Sequence, residues 1–375
     1  MGLSSTGATL SGSYSGATGT VSETGFYYGT STNGLDTKVT SGSTSSSFSM
    51  ALTGLSSYST YYYKAYVIEA GQERCGEVLT FVTAAPTDWL ELPATTGNED
   101  YVGTIYRAGG SRNYAFCYSY TRFGPLWTAF TLTEQDVLDE PIRTTWNYNA
   151  SISSQYQIPV TGSSYGSNYS SSNFVYQDGS GATVSLGPSA FSRGHQIPDA
   201  DRKNNSDKAQ TYLLTNQTPQ IQNSFNSGIW SNLEQAARQF VVTDATDQYN
   251  YNSEFETTDV LYVVTGPCFQ KVGGNETVYT LTGGSTDPKT VPIANYYWQA
   301  FLKVKKSGST ITLAKAIGFW YPHKPLKGES YCDSKYVVSV DQIETWTGFD
   351  LFANLPDNLE SGAESNDNWN TFRDF

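Results

Sequence analysis

The stretch FSRGHQIPDADR, residues 191–202, holds one of the two histidines in this 375-residue chain. Gly194 directly precedes His195 and lets the backbone turn sharply there. Arg193 lies two positions before the histidine, and its planar guanidinium can grip a phosphate with two parallel hydrogen bonds. Histidine is poised near neutral pH to take a proton from water. The pattern therefore suits a phosphodiester site, although a lone histidine is more often structural.

The segment 215–240 has the pattern of an amphipathic helix from about Ser227 onward. Apolar residues recur there at spacings of three or four and predict one buried stripe, formed by Trp230, Leu233, Ala237 and Phe240. On the helical period, Asn226 lies at the helix N-terminus and points in the same direction as the stripe. A polar amide that faces the protein at this position is either an N-cap or a metal ligand.

Other polar residues near these two segments have ordinary interpretations. Glu234 and Arg238, four positions apart beside the stripe, are typical of a salt bridge on a helix surface. Asp199 and Asp201 could pass for a carboxylate metal site, but Asp201 is expected to shape the turn instead. His323, in the sequence YPHKP, is expected to be a loop histidine outside the site.

Taken together, the two segments resemble the DNA/RNA non-specific endonuclease family, the ββα-metal group that includes endonuclease G. The matching residues are Ser192-Arg193-Gly194-His195, Thr215-Asn216, Pro219-Gln220, Asn226, Trp230, Leu233-Glu234 and Arg238. The similarity continues through Val264-Thr-Gly-Pro267, Ala300-Phe301, Gly318-Phe319-Trp320 and Thr347-Gly348-Phe349-Asp350, and so extends over residues 100–360. A single Arg-Gly-His would be weak evidence, but the two-part motif is specific.

The resemblance implies a division of labour between the two segments. His195 would be the general base that activates the attacking water. Asn226 would be the sole direct protein ligand of Mg²⁺, which usually keeps several waters and binds together with substrate phosphate. Mn²⁺ or Ca²⁺ could occupy the same site. Glu234 would orient water at the metal, as residues behind the ligands commonly do.

The remaining motif residues would serve the substrate and the framework. Arg193 and Arg238 would neutralise charge that builds up on the phosphate, and Asn216 and Gln220 would support the site by hydrogen bonding. The substrates would be DNA and RNA, and the products would carry 5′-phosphate ends. At Ser192 the family has an aspartate, which is neither base nor ligand. Catalysis should therefore survive, with altered positioning of Arg193 or His195 or a shifted pH optimum.

The chain is expected to be multi-domain. Residues 1–84 predict an all-β sandwich, because short alternating strands at 25–30, 47–55, 61–68 and 79–83 are separated by turns rich in Gly and Ser. The stretch from Leu55 to Tyr62 resembles a fibronectin type III corner, with Tyr62 as the corner tyrosine. A spacer or anchoring module is the expected role. Residues 85–98 predict a linker.

Residues 99–375 predict an α+β ββα-metal nuclease domain with a central antiparallel sheet. Strand-like runs form hairpins or buried strands at 113–121, 126–133, 259–267, 296–306 and 310–321. Ser339 and Gly348 predict the two ends of a short helix. The segment 147–187 is either a substrate-facing loop or a solvated insertion, and its composition favours the insertion. The tail from Ser361 is expected to fray.

The composition bears on partners and location. The net charge of −13 argues against a nucleic-acid binder, since phosphate contacts normally dominate affinity. A local cationic site and a divalent metal would suffice for an enzyme that must release its product. We therefore expect weak, salt-sensitive substrate binding. The 28 tyrosines and the charged fraction of 15% favour an exported, β-rich protein.

Export would place the protein outside the cell, in a periplasm or on the cell surface. The N-terminus lacks the pattern of a signal peptide, so a signal is expected to have been removed, and anchoring could have come from the same missing segment. The sequence has no apolar run long enough for a transmembrane helix.

The chain contains Cys75, Cys117, Cys268 and Cys332, for which a Cys268–Cys332 disulfide and free thiols are equally plausible. The oligomeric state is open.

Two rival functions come from other classes. A non-catalytic binding or adhesion protein would fit the sandwich, the acidic charge and Ser192. A zinc hydrolase would need more soft ligands than two histidines and unpaired cysteines provide.

Overall fold

The computed structural model describes residues 2–32, 34–97, 99–137, 144–202, 204–271, 274, 276–284 and 288–375. Asn98, the last residue of the predicted linker, lies outside this set. The described chain is mostly β-sheet with a few short helices. No helix within these ranges is long and apolar enough to cross a membrane.

The N-terminal part consists of two sheets packed around one core. Its strands are β1 Gly2–Leu3, β2 Gly7–Ser13, β3 Val21–Gly29, β4 Thr37–Thr40, β5 Ser47–Thr53, β6 Thr60–Glu69, β7 Gln72–Cys75 and β8 Leu79–Val82. One sheet has the order β1-β2-β5; the other has β4-β3-β6-β7, with β8 also paired to β6. The apolar positions of the alternating strands fill the core, which includes Leu10, Phe26, Phe48, Tyr61 and Phe81. The predicted strands are confirmed, while the fibronectin type III likeness stays a prediction.

The corner tyrosine is Tyr61, and the choice of Tyr62 was wrong. The Tyr61 hydroxyl accepts a hydrogen bond from the Ser56 backbone N–H at 2.9 Å, five residues upstream. A bond of that kind ties the corner to the preceding turn. Tyr62 points the other way, because alternate residues of a strand face opposite sides, and its hydroxyl lies 3.0 Å from that of Tyr120.

The segment predicted as a linker packs against the following sheet. Leu90 and Leu92 are buried in an apolar cluster that they share with Tyr58 of the N-terminal part. The Tyr58 hydroxyl donates to the Pro93 carbonyl, and the Val102 N–H donates to Thr60 Oγ1 at 2.9 Å. The residues between the two parts therefore form a packed joint, and the predicted boundaries at 84 and 99 stay predictions.

The rest of the chain contributes a large antiparallel sheet and smaller ribbons. Its strands are β9 Tyr101–Tyr106, β10 Arg112–Ser119, β11 Gly124–Leu132, β12 Tyr169–Ser172, β13 Val175–Gln177, β14 Thr183–Ser185, β15 Phe191–His195, β16 Gln217–Ile221, β17 Leu261–Cys268, β18 Tyr279–Gly283, β19 Thr290–Ile293, β20 Tyr296–Ser307, β21 Thr310–Pro322 and β22 Val337–Val338. Within the described residues the large sheet has the order β22-β21-β20-β17-β11-β10-β9. The two predicted hairpins are β10–β11 and β20–β21, and both are confirmed.

The helices are α1 Asn205–Thr211, α2 Ser231–Gln239, α3 Val340–Thr347, α4 Asp357–Glu364 and α5 Trp369–Arg373. The predicted ends of α3 are confirmed. Ser339 Oγ accepts from the Gln342 N–H at 3.1 Å, and Gly348 closes the helix with a φ of 77°. The prediction of a frayed tail from Ser361 was wrong, because α4 and α5 occupy it and Phe372 is fully buried.

The large sheet is covered on both faces, because its strands alternate. Phe301, Phe319 and Tyr321 face the side on which α2 packs. Ala300 and Leu302, together with Trp298, Ala316 and Trp320, face the other side, where residues of α3 and α4 complete a second core. A side chain at Gly318 would meet the Ile343 side chain at 2.7 Å, so this glycine permits α3 to lie close to the sheet.

Two further predictions were wrong. Residues 147–187 are not a solvated insertion, because Ile158, Tyr165, Tyr169 and Phe174 are buried in the core on the α2 side. The disulfide Cys268–Cys332 is absent, since all four cysteines of the chain lie within the described residues and are free thiols. The Cys268 thiol donates instead to the Gln270 carbonyl at 2.8 Å.

Candidate active site

The ribbon formed by β15 and β16 positions the Arg-Gly-His motif. Arg193 pairs with Pro219 and His195 with Gln217 across the ribbon. Because side chains alternate along a strand, Arg193 and His195 project from the same face. Both remain partly exposed, whereas Phe191 at the start of β15 is buried. The ribbon therefore carries the two groups side by side to the surface.

These side chains open into a cavity of about 310 Å³. The cavity is lined by Ser192, Arg193, His195 and Asn226, together with Thr144, Trp146, Ser163, Asp199, Tyr212 and Gln222. It thus brings the predicted base, one predicted phosphate ligand and the predicted metal ligand together from separate segments.

The His195 imidazole lies between two aromatic rings. The Trp146 ring centroid is 4.5 Å from that of His195, and Tyr212 meets the imidazole edge-on at 4.7 Å. The Tyr212 hydroxyl donates to Asp199 Oδ2 at 2.7 Å, which fixes the tyrosine in turn. Packing on two sides restricts the rotation of the imidazole, and such restriction is what a base with a defined target requires.

The Arg193 guanidinium is held on one side only. Its Nη1 donates to the Val160 carbonyl at 2.9 Å, and the guanidinium lies 5.3 Å from the Trp146 ring centroid. Burial lowers the pKa of Arg193 from its ordinary value, but arginine titrates so far above neutrality that it keeps its charge. The remaining N–H groups are in the wall of the cavity, where an anionic ligand could accept from them.

The side chain of Asn226 is held by two hydrogen bonds that its amide nitrogen donates. Nδ2 donates to Ser192 Oγ at 2.9 Å and to Gln222 Oε1 at 3.2 Å. The Ser192 hydroxyl in turn donates to the Gln220 carbonyl at 3.3 Å. Within the described residues Oδ1 of Asn226 accepts no hydrogen bond, so its carbonyl oxygen is available to a ligand in the cavity.

Asn226 does not cap a helix, because the predicted helix is present but begins at Ser231 instead of about Ser227. The regular helix α2 begins at Ser231, and its N-cap residue is Trp230. The preceding segment Gln222–Trp230 leaves helical geometry at Asn223, Ser224, Ser227 and Gly228. The predicted buried stripe of Trp230, Leu233, Ala237 and Phe240 is nevertheless confirmed. Metal ligation, the other interpretation of Asn226, stays a prediction.

The donor chemistry of the cavity fits a magnesium ion. Mg²⁺ prefers oxygen ligands, dehydrates reluctantly and is often held by one or two protein oxygens with substrate phosphate. Asn226 presents one uncommitted oxygen, and Asp199 supplies a nearby carboxylate that already accepts from Tyr212. The same wall contains no cysteine and one histidine, which makes a zinc site of several soft ligands a poor fit.

Arg238 lies behind the cavity rather than in its wall. It is only 4% exposed, Nη1 pairs with Asp201 Oδ1 at 2.9 Å, and Nε donates to Asn250 Oδ1 at 3.1 Å. Burial opposes ionisation, but Asp201 and Glu234 raise the pKa of Arg238 overall. The surface salt bridge with Glu234 was therefore a wrong expectation, and this placement argues against direct contact with substrate. Asp201, expected to shape a turn, is instead the buried partner of Arg238.

Glu234 occupies the first turn of α2 and is partly exposed as a whole residue. Burial of its carboxyl raises its pKa to about 8; Arg238 opposes the rise, and Asp201 and Asp199 add to it. The carboxyl is thus close enough to the acidic residues at the back of the cavity to interact with them. A nearby cation would lower this pKa, since opposite charge favours the ionised form.

Asn216 and Gln220 are fully buried beneath the ribbon. The Asn216 side chain exchanges hydrogen bonds with both backbone groups of Ile197 and donates to the Thr211 carbonyl. It therefore holds the loop that follows His195. The Gln220 side chain fills the space above Gly194, where a Cβ would clash with it. Within the described residues its amide makes no hydrogen bond, so the prediction that Gln220 supports the site by hydrogen bonding was wrong.

His323 lies outside the cavity, as expected, but it is not a loop side chain in solvent. It is 3% exposed, Nδ1 donates to the Ala294 carbonyl at 2.8 Å, and Nε2 accepts from the Ile221 N–H at 2.9 Å. Burial lowers its pKa to about 3. His323 is thus a neutral structural residue that anchors the end of β16.

Several lining residues were missed from the sequence. Trp146 comes from a segment about fifty positions before His195, and an isolated bridge between Asn147 and Leu213 brings it to the site. Ser163 arrives through a similar bridge between Ser164 and Ser192. Tyr212 and Gln222 each lie close to a motif residue in the chain, but neither has a pattern of its own that would reveal its position.

A comparison with known families agrees with this geometry. The model of one family, described as DNA/RNA non-specific endonuclease, matches residues 101–358 of the chain, well over half its length. The chain belongs to the DNA/RNA non-specific endonuclease family. The matched range includes the β15–β16 ribbon, the residues that line the cavity and all strands of the large sheet.

Individual members of the family are similar over part of their length. A nuclease of Nostoc sp. is 30% identical over 182 residues, covering 47% of this chain and 56% of that protein. A nuclease of Serratia marcescens is 29% identical over 188 residues, covering 50% of this chain and 59% of that protein. The chain thus spans little more than half the length of these relatives.

Among solved structures, a chain of the EndoG/EndoGI complex has 16% sequence identity and a TM-score of 0.48. The alignment covers 68% of this chain and 86% of that one.

Proposed function

We propose that the protein is a metal-dependent nuclease that hydrolyses phosphodiester bonds of DNA and RNA without marked sequence preference. The observation that carries the proposal is the shared cavity of Arg193, His195 and Asn226, in which a base, a cation and a free amide oxygen face one space. Family membership and the similarity to proteins named nucleases support the same conclusion.

In this proposal, His195 takes a proton from the attacking water through its imidazole. Trp146 and Tyr212 keep the imidazole in one orientation. Arg193 binds a non-bridging phosphate oxygen through the N–H groups that Val160 leaves free. A positioned general base contributes about 10²- to 10⁴-fold in rate, and an oriented cation stabilises the charge that develops on the phosphate.

Asn226 Oδ1 would hold Mg²⁺, and the ion would supply a Lewis acid for the phosphate and the leaving 3′ oxygen. The chain's part is to orient that oxygen. Ser192 and Gln222 do this by binding the two N–H groups of the Asn226 amide. Cleavage with this polarity leaves 5′-phosphate products.

Arg238 is assigned a positioning role in place of the direct phosphate contact expected from the motif. Its ion pair with Asp201 connects α2 to the turn after His195. Glu234, on the same helix, is not among the residues that line the cavity and would orient water near the ion from behind them. Asn216 and Gln220 would keep the ribbon flat beneath the two reacting groups.

Plasmid nicking in Mg²⁺ tests the proposal. The wild type should nick and then degrade supercoiled DNA and also RNA, whereas His195→Ala should lose at least about a hundredfold in rate. Asn226→Ala should be equally impaired, and chelation of the metal should abolish the activity of the wild type. Asp367→Asn serves as the control, because it changes an exposed acidic side chain that does not line the cavity.

Two outcomes would contradict the proposal. Absence of nicking by a folded, Mg²⁺-supplied wild type would favour a binding or adhesion protein. Nicking that His195→Ala leaves unchanged would remove the base assignment.

Further aspects of the proposal concern the context of the enzyme. We infer that the N-terminal two-sheet part is a fibronectin type III-like spacer or anchoring module, because acidic residues outnumber its three basic residues Lys38, Lys64 and Arg74. Export to the cell exterior agrees with the composition. Both inferences would be tested by fractionating cells that express the native gene and locating the protein with an antibody.

A further inference from the structure

Three carboxyl groups converge between α3 and α4, on the face of the sheet opposite α2. Asp341 and Glu344 stand three positions apart on α3, which places them on one side of the helix. Glu364 is the last residue of α4. One oxygen from each of these three carboxyls lies within 4.8 Å of the other two. The helices thus bring together acids that are separated by about twenty positions in the chain.

Glu364 distinguishes this cluster from an ordinary acidic surface. The residue is 4% exposed, and its Oε1 has no hydrogen-bond partner. A buried carboxylate oxygen without a donor is costly, because it has lost water and gained nothing in exchange. The side chain nevertheless points toward Asp341 and Glu344 instead of out to solvent. A missing positive partner at the point of convergence would account for this arrangement.

The charges around the cluster give the same indication. Burial raises the pKa of Glu364 to about 9, with Glu344, Glu360 and Asp341 adding to the rise. Burial likewise raises the pKa of Glu344 to about 7. Within the described ranges of the chain, none of the ion pairs involves Asp341, Glu344 or Glu364. The described residues therefore gather acidic groups here without a lysine or arginine in ion-pair contact that would support their ionisation.

We propose that Asp341, Glu344 and Glu364 form a second divalent-cation site, of the calcium class, that is separate from the candidate active site. Ca²⁺ binds carboxylate oxygens at about 2.3–2.6 Å in flexible geometry, so oxygens on opposite sides of the ion lie close to 4.8 Å apart. The spacing of the cluster fits this requirement. Backbone carbonyls and water would complete the coordination.

The expected effect of the ion is structural. It would link α3 to the end of α4 and so fix the C-terminal helices on the sheet. The ion would take no part in catalysis, because the cluster lies on the face whose core includes Val340, Ile343 and Ala363, whereas β15 and α2 pack on the other face. The inference therefore does not rest on the proposed nuclease function.

Calorimetry on the intact chain tests the site. After treatment with EDTA and its removal, CaCl₂ should still bind at pH 7.5 to Asn226→Ala, in which the ligand of the cavity is gone. The midpoint of thermal unfolding should rise by about 2–4 °C for each tenfold increase of Ca²⁺ above its Kd. The Asn226→Ala variant separates this site from the cavity, so loss of nuclease activity and loss of calcium binding can be distinguished.

In the Asn226→Ala background, the double variant Glu344→Gln/Glu364→Gln should no longer respond to Ca²⁺, yet it should melt close to its parent in metal-free buffer, because glutamine keeps the shape of each side chain. Asp367→Asn, an exposed acid just beyond α4, is the matched control and should respond like the wild type. An unchanged melting temperature of the wild type in millimolar Ca²⁺ would overturn the proposal. A calcium response that the double variant retains would do the same, and a stability change that follows pH alone would show a shared proton instead of an ion.

Discussion

At the scale of single residues, Ser192 lies where the resemblance described above leads us to expect an aspartate. The family's aspartate would be an anion next to Asn226. The serine hydroxyl accepts from Asn226 Nδ2 and donates to the Gln220 carbonyl, so a neutral group now completes the same chain of hydrogen bonds. The expected change in positioning thus concerns Asn226 more directly than Arg193 or His195. The orientation of the amide, and with it the direction of Oδ1, depends on this contact.

Ser192→Ala should weaken metal use more than substrate binding. Without the hydroxyl, the Asn226 amide retains only its hydrogen bond to Gln222. The amide can then rotate and turn Oδ1 away from the cavity. We expect the Mg²⁺ concentration for half-maximal activity to rise about tenfold, equivalent to the loss of one hydrogen bond of about 1.4 kcal/mol. Nicking rates measured across a Mg²⁺ titration check this. Ser163→Ala, in the same wall but not bonded to Asn226, is the control, and an equal effect in both variants would contradict the role of Ser192.

At the scale of secondary-structure elements, the position of α2 relative to the β15–β16 ribbon determines the site. The irregular segment Gln222–Trp230 carries Asn226 to the cavity, and Ser224 at its bend has a φ of 63° in the left-handed region. The buried pair Asp201–Arg238 ties α2 to the turn that follows His195. Breaking a buried pair by removing one charge costs far more than breaking an exposed pair, because the other charge is left desolvated.

Asp201→Asn should therefore destabilise the protein by about 3–5 kcal/mol. Differential scanning calorimetry should show a fall of the unfolding midpoint by about 6 °C or more. Asp374→Asn offers the same substitution in an exposed pair with Arg373, at 2.7 Å, and should leave the unfolding midpoint almost unchanged, because solvent screens such pairs. Similar midpoints for the two variants would show that the buried pair does not tie the elements together.

At the scale of the whole molecule, His323 makes stability depend on pH. Its neighbours are the rings of Phe174, Phe225 and Tyr297. Its pKa of about 3 in the folded protein lies below the value of about 6.5 in an unfolded chain. At a pH between these two values, His323 is protonated in the unfolded chain and neutral in the folded protein. Stability from this group is therefore present above pH 6.5 and is lost as the pH falls toward 3.

Urea unfolding should show this loss. Between pH 7 and pH 4, His323 alone should remove about 3 kcal/mol from the free energy of unfolding. His323→Gln should be less stable than the wild type at pH 7, because the imidazole bonds to Ala294 and Ile221 are disturbed. Its stability should nevertheless fall less steeply toward pH 4. If the free energy of unfolding fell equally steeply with pH in the wild type and in His323→Gln, this role of His323 would be refuted.

The net charge of −13 sets the response of the whole molecule to salt. One cationic side chain, Arg193, lines the described cavity, so few phosphates can be contacted directly. The logarithm of KM for DNA should rise with the logarithm of salt concentration at a slope of about 1–2. Steady-state cleavage rates measured between about 50 and 300 mM KCl, at a fixed concentration of free Mg²⁺, give this slope. A slope several times steeper would require an extended cationic surface that the proposal does not include.

Local patterns in the sequence were sufficient for much of this architecture. Alternation predicts the strands of both hairpins, and Ser339 and Gly348 define the ends of α3. Four residues of the motif, Ser192, Arg193, His195 and Asn226, line one cavity. These features depend on neighbours within a few positions or on residue types that the chemistry requires. For that reason they can be inferred before the chain is folded.

Only the tertiary structure determined how those residues are used. Trp146 and Val160 reach the site from distant segments. The ion pair with Asp201 holds Arg238 in the interior. Asp341, Glu344 and Glu364 meet because α3 and α4 pack on the same face of the sheet. The physical reason is common to all of these contacts. Charge pairing, ring stacking and burial act through space, and the distances they depend on are fixed when the sheet and its two covering layers pack together.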